Sequence, residues 1–111
     1  MKAIIITCAL LAGLLWLGNV NAEQPVEAQI KLFQFKPQRI EIKAGTTVKW
    51  VNGDAIEHSV TSGVPGKPTG NFDSGFFNRS QSFVHTFTEP GTFTYFCMRH
   101  NSMTAKVVVT K

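Results

Sequence analysis

From Ala28 onward the chain reads as a succession of short runs in which apolar and polar side chains alternate. A period of two turns one face of an extended segment toward a core and the other toward water. Residues 28–35 (AQIKLFQF) fit one such strand, stopped by Lys36-Pro37. Residues 39–43 (RIEIK) and 46–52 (TTVKWVN) alternate cleanly on either side of an Ala44-Gly45 turn. Further strands are expected at 58–61, 81–88, 92–97 and 105–110, with Glu89-Pro90-Gly91 as a tight turn. The Gly- and Pro-rich stretch 62–70 (SGVPGKPTG) is expected to be loop. No segment keeps a helical period. Seven to eight short strands at this spacing predict an all-β fold, an antiparallel Greek-key β-sandwich.

The first residues follow a different pattern. Met1-Lys2 precedes an apolar run from Ala3 to Gly18, and Val20-Asn21-Ala22 offers the small residues that suit signal peptidase. Residues 1–22 are therefore read as a signal peptide and residues 23–111 as the working domain, exported to the periplasm. The competing reading is an uncleaved membrane anchor, because the run is only slightly shorter than the ~18 residues needed to span a bilayer. The processing site favours cleavage, and no membrane insertion is expected after it. Cys8 lies inside this run, without the small residues before it that a lipoprotein site needs, and is set aside.

A chain of 111 residues leaves room for one domain. The formal net charge is +4, one unit of it from Lys2, and the remaining basic residues are scattered singly. Nucleic-acid binding usually needs a concentrated basic stripe, and none is present. A mild positive field would suit an acidic protein partner, although an ordinary solvated surface accounts for it as well. Beyond the leader, Cys97 is the sole cysteine. In an exported domain it has nothing in its own chain to pair with, so it is a buried thiol, an intermolecular disulfide or a metal thiolate.

Its neighbours decide among these. Cys97-Met98-Arg99-His100-Asn101-Ser102-Met103 places a thiol, an imidazole and a thioether within one turn between the last two strands. A metal that shuttles between Cu(I) and Cu(II) needs ligands tolerable to both states, and this trio qualifies. A second imidazole is on offer from His58, at the start of another strand. Taken singly each residue has a bland reading: Met103 as core filler, His58 as a hydrogen-bonded histidine, Cys97 as a small hydrophobe. Zinc would accept cysteine and histidine, but thioether is a poor zinc donor. A Cys-His nucleophilic pair is conceivable, yet nothing around Cys97 resembles an oxyanion hole.

Together, Trp50, Asn52, His58, Phe83, Phe87, Pro90-Gly91, Tyr95, Cys97, His100 and Met103 resemble the cupredoxins, above all the plastocyanin and amicyanin group. The likeness runs over nearly all of residues 23–111, and the short Cys-x-x-His-x-x-Met loop is most like that of amicyanins. It implies a cupredoxin-like sandwich holding one copper ion, with His58, Cys97 and His100 in a near-trigonal plane and Met103 axial. His100 would be the ligand whose ring edge reaches solvent, and in short-loop relatives it leaves Cu(I) in mild acid. Asn52 matches an asparagine that ties the loop of the first histidine to the cysteine loop. Three positions depart from the pattern. Met98 stands where a hydroxyl residue is usual, Arg99 where proline precedes the second histidine, and Asn101 where amicyanins have proline. Arg99 adds positive charge beside the exposed ligand, and is expected to bias docking toward an acidic partner.

His85, the third histidine, alternates onto the face of Phe83 and Phe87 and is read as half-buried and hydrogen-bonded rather than as a second metal site. The function implied is a monomeric periplasmic electron carrier, not an enzyme, since four protein donors leave a metal no open position. Its partners would be redox proteins such as a c-type cytochrome or a periplasmic dehydrogenase or reductase. A copper storage or delivery protein is the alternative.

Overall fold

The computed structural model describes residues 24–111, and the expected leader therefore lies outside the described residues. Nine strands form two facing sheets: β1 (Val26–Lys31), β2 (Gln34–Lys36), β3 (Arg39–Lys43), β4 (Thr46–Asn52), β5 (Thr61–Val64), β6 (Lys67–Asp73), β7 (Ser82–Phe87), β8 (Gly91–Phe96) and β9 (Thr104–Thr110). One sheet has the order β2-β1-β4-β7 and the other β3-β9-β8-β5-β6. The chain crosses between them at β2–β3, β3–β4, β4–β5, β6–β7 and β7–β8. The sandwich expected from the alternation is present. Within it β1 pairs with β4, and β3 with β9, in parallel, while the other pairs are antiparallel.

Strands β3 and β4 occupy the ranges that the alternation predicts, because each has a strict inside and outside: Ile40 and Ile42 point in from β3, Val48, Trp50 and Asn52 from β4. Two segments differ. The single strand expected at 28–35 is a hairpin, in which Leu32 and Phe33 form a two-residue turn at φ 55° and 60° between the paired Lys31 and Gln34. Bulky residues rarely adopt this left-handed conformation, which in hairpin turns usually recruits Asn-Gly. The turn is held from elsewhere in the chain: the Asp54 carboxylate accepts hydrogen bonds from the Leu32 N–H at 2.8 Å and the Phe33 N–H at 2.9 Å.

The expected loop at 62–70 is also strand. Pro65-Gly66 turns the chain between the paired Val64 and Lys67, with Gly66 at φ 85°. This is the composition of a turn with proline second and glycine third. Pro68 is tolerated in β6 because that strand lies at the sheet edge, where one side needs no donor. Gly63 permits a register shift: a Cβ there would stand 2.3 Å from the Lys67 carbonyl oxygen. Gly and Pro in this stretch shape a hairpin rather than prevent one.

The core joins the sheets through aromatic rings. Trp50 of β4 is fully buried and donates its Nε1–H to the hydroxyl of Tyr95 on β8, at 3.2 Å. Phe72, Phe83 and Phe87 surround the indole. Burial pushes the Tyr95 phenol up to about 12, against the indole hydrogen bond that works the other way. His85 sits half-buried on β7, as expected. Its ring lies 4.8 Å from Phe72 and 4.7 Å from Phe87, so its contacts are aromatic rather than the hydrogen bond anticipated. Burial lowers its affinity for a proton.

Candidate metal centre

Cys97 follows the last residue of β8, and Met103 precedes the first of β9. The turn between them is tied by its own backbone: Cys97 N–H donates to the Met103 carbonyl at 3.1 Å and Met103 N–H to the His100 carbonyl at 2.9 Å. These bonds fix the spacing of the thiol, imidazole and thioether. Cys97 is fully buried, Met103 is 2% exposed in the same core cluster, and His100 is half-exposed.

His58 arrives from the β4–β5 crossover. The strand expected at 58–61 begins only at Thr61, and His58 is held by an isolated bridge to Phe77 with bonds of 3.2 and 3.0 Å. The ring is fully buried. Its Nε2 lies 2.9 Å from Asp54 Oδ2, and a carboxylate can only accept, so Nε2 carries a proton and, in the neutral imidazole, Nδ1 keeps the lone pair a metal needs. That Nδ1 lies 3.7 Å from Cys97 Sγ, and His100 Nδ1 lies 3.9 Å from the same sulfur. One donor atom from each of the three residues falls within 4.8 Å of the others. Among the described residues this is the one such cluster of three or more metal-capable side chains found, and His85 has no part in it. Thiol and imidazole donors, with the buried Met103 on the same turn, suit copper, which tolerates soft sulfur and borderline nitrogen in both oxidation states.

Over residues 22–110 the chain matches the model for copper binding proteins of the plastocyanin/azurin family. The chain belongs to that family of cupredoxins. Among its relatives, amicyanin of Paracoccus versutus is 33% identical over 103 residues, covering 82% of this chain and 76% of the relative. Amicyanin-alpha of Methylorubrum extorquens is 33% identical over 111 residues, covering 98% and 92%. Among solved structures, a purple cupredoxin from Nitrosopumilus maritimus superposes with a TM-score of 0.71 at 31% identity, over 77% of this chain and 99% of that one. Copper is thus the cofactor of this cupredoxin.

The surroundings of the donors differ from what the sequence suggests. Asn52 does not reach the cysteine turn. It is fully buried and organises the approach to His58 instead: its Nδ2 donates to the carbonyls of Ile56 and Phe77, both at 3.0 Å, and its Oδ1 accepts from the Asp54 N–H at 2.8 Å. The tie between the two loops is Ser59, whose N–H points at Cys97 Sγ at 3.4 Å while its Oγ accepts from the Met98 N–H at 2.9 Å. A hydroxyl beside the histidine replaces the hydroxyl that position 98 lacks. The sequence signal for this tie is the adjacency of Ser59 to His58.

Asp54, by contrast, carries no mark in the sequence. Burial alone would raise its pKa, but the donors from Phe33, His58 and Leu32 outweigh that and leave it lowered. By binding the Leu32-Phe33 turn it sets the Phe33 ring edge-on against His100 at 4.8 Å and His58 at 5.3 Å. The His100 imidazole is held below the ordinary histidine range, first by partial burial and then by the positive charges of His58, when that ring is protonated, and Arg99, with Asp54 pulling the other way. Arg99 is not a free charge: its guanidinium donates to Glu57 Oε2 at 3.0 Å.

Proposed function

We infer that this cupredoxin is a monomeric electron carrier whose single copper ion is held by His58 and His100 through Nδ1, Cys97 through Sγ and Met103 through its thioether. The observation that carries the reading is the convergence of three donor atoms within 4.8 Å, two of them on fully buried residues, with the fourth donor on the same backbone-tied turn. Copper bound there would accept and release one electron. The protein's part is to hold the donors still. Asp54 fixes the His58 ring, Ser59 holds the cysteine sulfur and the following peptide, and the turn bonds keep His100 and Met103 in step. Donors restrained in this way change little between oxidation states, which favours rapid electron exchange over catalysis at the metal. A donor set with its thiol and one imidazole fully buried also suits retention of the ion better than its delivery.

His100 is the donor whose residue reaches the surface, with the exposed Phe33 ring against it at 4.8 Å. A redox protein such as a c-type cytochrome, dehydrogenase or reductase, docked on that face, would lie closest to the donor set. Residues 1–22 are proposed as a cleaved signal peptide and the periplasm as the place of work; the family match beginning at residue 22 supports the boundary. Among the described residues no helix is long and apolar enough to cross a membrane.

The decisive experiment is to load the purified protein with Cu(II). An intense visible band from thiolate-to-copper charge transfer is expected, and Cys97→Ser abolishes it. A colourless adduct, or preference for zinc, would refute the reading. Rapid electron self-exchange would then separate a carrier from a delivery protein.

A further inference from the structure

Beyond the donors, a line of hydroxyl groups runs from the cysteine turn to the β6 edge of the second sheet. Met98 N–H donates to Ser59 Oγ at 2.9 Å, Ser59 Oγ lies 2.9 Å from Thr61 Oγ1, and Thr61 Oγ1 donates to Asp73 Oδ1 at 3.1 Å. Ser59 and Thr61 are each 1% exposed, so water does not compete for these groups. The direction of the line follows from its last member. Asp73 Oδ1 also accepts the Gly75 N–H at 3.0 Å, and an ionised carboxylate has no proton to return. Thr61 must therefore spend its only hydroxyl proton on Asp73. With that proton committed, Thr61 faces Ser59 as an acceptor, and Ser59 must donate toward Thr61. The lone pairs of Ser59 Oγ are then left facing the Met98 N–H, the peptide immediately after Cys97.

The geometry points to Thr61 and Asp73 as positioning residues for the metal centre: by orienting the Ser59 hydroxyl they fix the peptide after Cys97 and the N–H that Ser59 directs at its sulfur. The role deepens the copper reading and rests on it for its functional meaning. Asp73 is exposed on β6, pairs with Thr61 of β5, and touches none of the donors. Its effect passes through the Thr61 and Ser59 hydroxyls. The β5 strand is the physical link, because Thr61 pairs in turn with Phe96, the residue before Cys97. The backbone of the same corner is locked independently, with Val60 N–H on Ser74 Oγ at 2.7 Å and Ser74 N–H on the Val60 carbonyl at 3.0 Å. Removing a hydroxyl here therefore does not have to move the strand.

Amide hydrogen exchange followed by NMR on the metal-free chain tests the proposal without reference to copper. Thr61→Val and Asp73→Ala should each speed exchange of the Met98 amide about two- to tenfold, the range set by one lost hydrogen bond, while the Val107 amide of β9 keeps its rate. Thr61→Ser should restore it. In copper-loaded protein Thr61→Val should shift the charge-transfer band and the reduction potential, and Thr61→Ser should return both. A Met98 amide unchanged in Thr61→Val but faster in Ser59→Ala would overturn the proposal, since the line would end at Ser59. Equal acceleration of the Met98 and Val107 amides would overturn it too, showing a loss of global stability instead. Failure to bind copper would sink the functional reading, and the amide rates would still decide this one.

Discussion

Replacing Asp54 by alanine should be among the most damaging single changes available outside the donor set. The carboxylate accepts from the Leu32 N–H at 2.8 Å, the Phe33 N–H at 2.9 Å and the His58 ring at 2.9 Å, and is only 9% exposed. The His58 ring is fully buried, so its N–H would be left without a partner, at about 1–3 kcal/mol. The two peptide N–H groups belong to exposed residues that water can reach, so each loses only ~0.5–1 kcal/mol. The left-handed conformation of Leu32 and Phe33 costs ~1–2 kcal/mol per residue, and Asp54 is what offsets it. Together a loss of about 2–5 kcal/mol is expected, a large share of a typical domain's ~5–15 kcal/mol.

Urea unfolding of metal-free protein at pH 7 measures this loss directly. Leu32→Gly in the Asp54→Ala background should recover ~1 kcal/mol, because glycine adopts the turn without strain and Leu32 is 68% exposed. The deficit should also depend on pH. Asp54 has a lowered pKa in the fold, so the stability it contributes is fully present above the unfolded carboxylate pKa of ~3.9, and is lost as pH falls through the folded value. The gap between parent and Asp54→Ala should therefore close in acid. A deficit below ~1 kcal/mol at pH 7, or one that stays constant into acid, would refute the reasoning.

Other expectations follow from the same contacts. Tyr95→Phe leaves the buried Trp50 N–H without its acceptor and should cost about 1–3 kcal/mol by urea unfolding. His85, whose pKa burial lowers in the fold, contributes stability that is complete above the unfolded pKa of ~6.5 and declines as pH falls below it. His85→Gln should flatten that part of the stability profile. Gly63→Ala should lower the melting temperature more than Gly66→Ala, since the added Cβ meets backbone at 2.3 Å in the first and nothing within 4 Å in the second. Arg99→Glu should change stability by less than ~1 kcal/mol, since its ion pair with Glu57 is largely exposed. It should slow reaction with an acidic c-type cytochrome at low salt, with the difference fading at high salt; equal rates would remove Arg99 from docking.

The elements most legible in the sequence were those with a strict inside and outside. Segments 39–43 and 46–52 needed only their alternation, and Cys97, His100 and Met103 needed only their spacing in one turn. The hairpin at Leu32-Phe33 was hidden because its cause, Asp54, lies some twenty residues downstream, while the local residues favour continued strand. The β5–β6 hairpin was hidden because Gly and Pro mark both loops and edge strands, and only the sheet order separates them. Around the donors, likeness to relatives pointed to Asn52 by residue type. The connection itself depends on which hydroxyl stands within reach of the Met98 N–H, and Ser59 does.

The division of the donors between two parts of the chain has a kinetic consequence. Cys97, His100 and Met103 lie between β8 and β9, neighbours in sequence that pair from Gly91 with Val109 to Phe96 with Thr104, so their turn can close early as a local hairpin. His58 sits on the crossover from one sheet to the other and joins them only when the sheets dock around Trp50 and Tyr95. On this topology three of the proposed donors would gather at the pace of a hairpin and the fourth at the pace of the whole sandwich. Any signal that requires His58 beside Cys97 is a clock for the last step of folding.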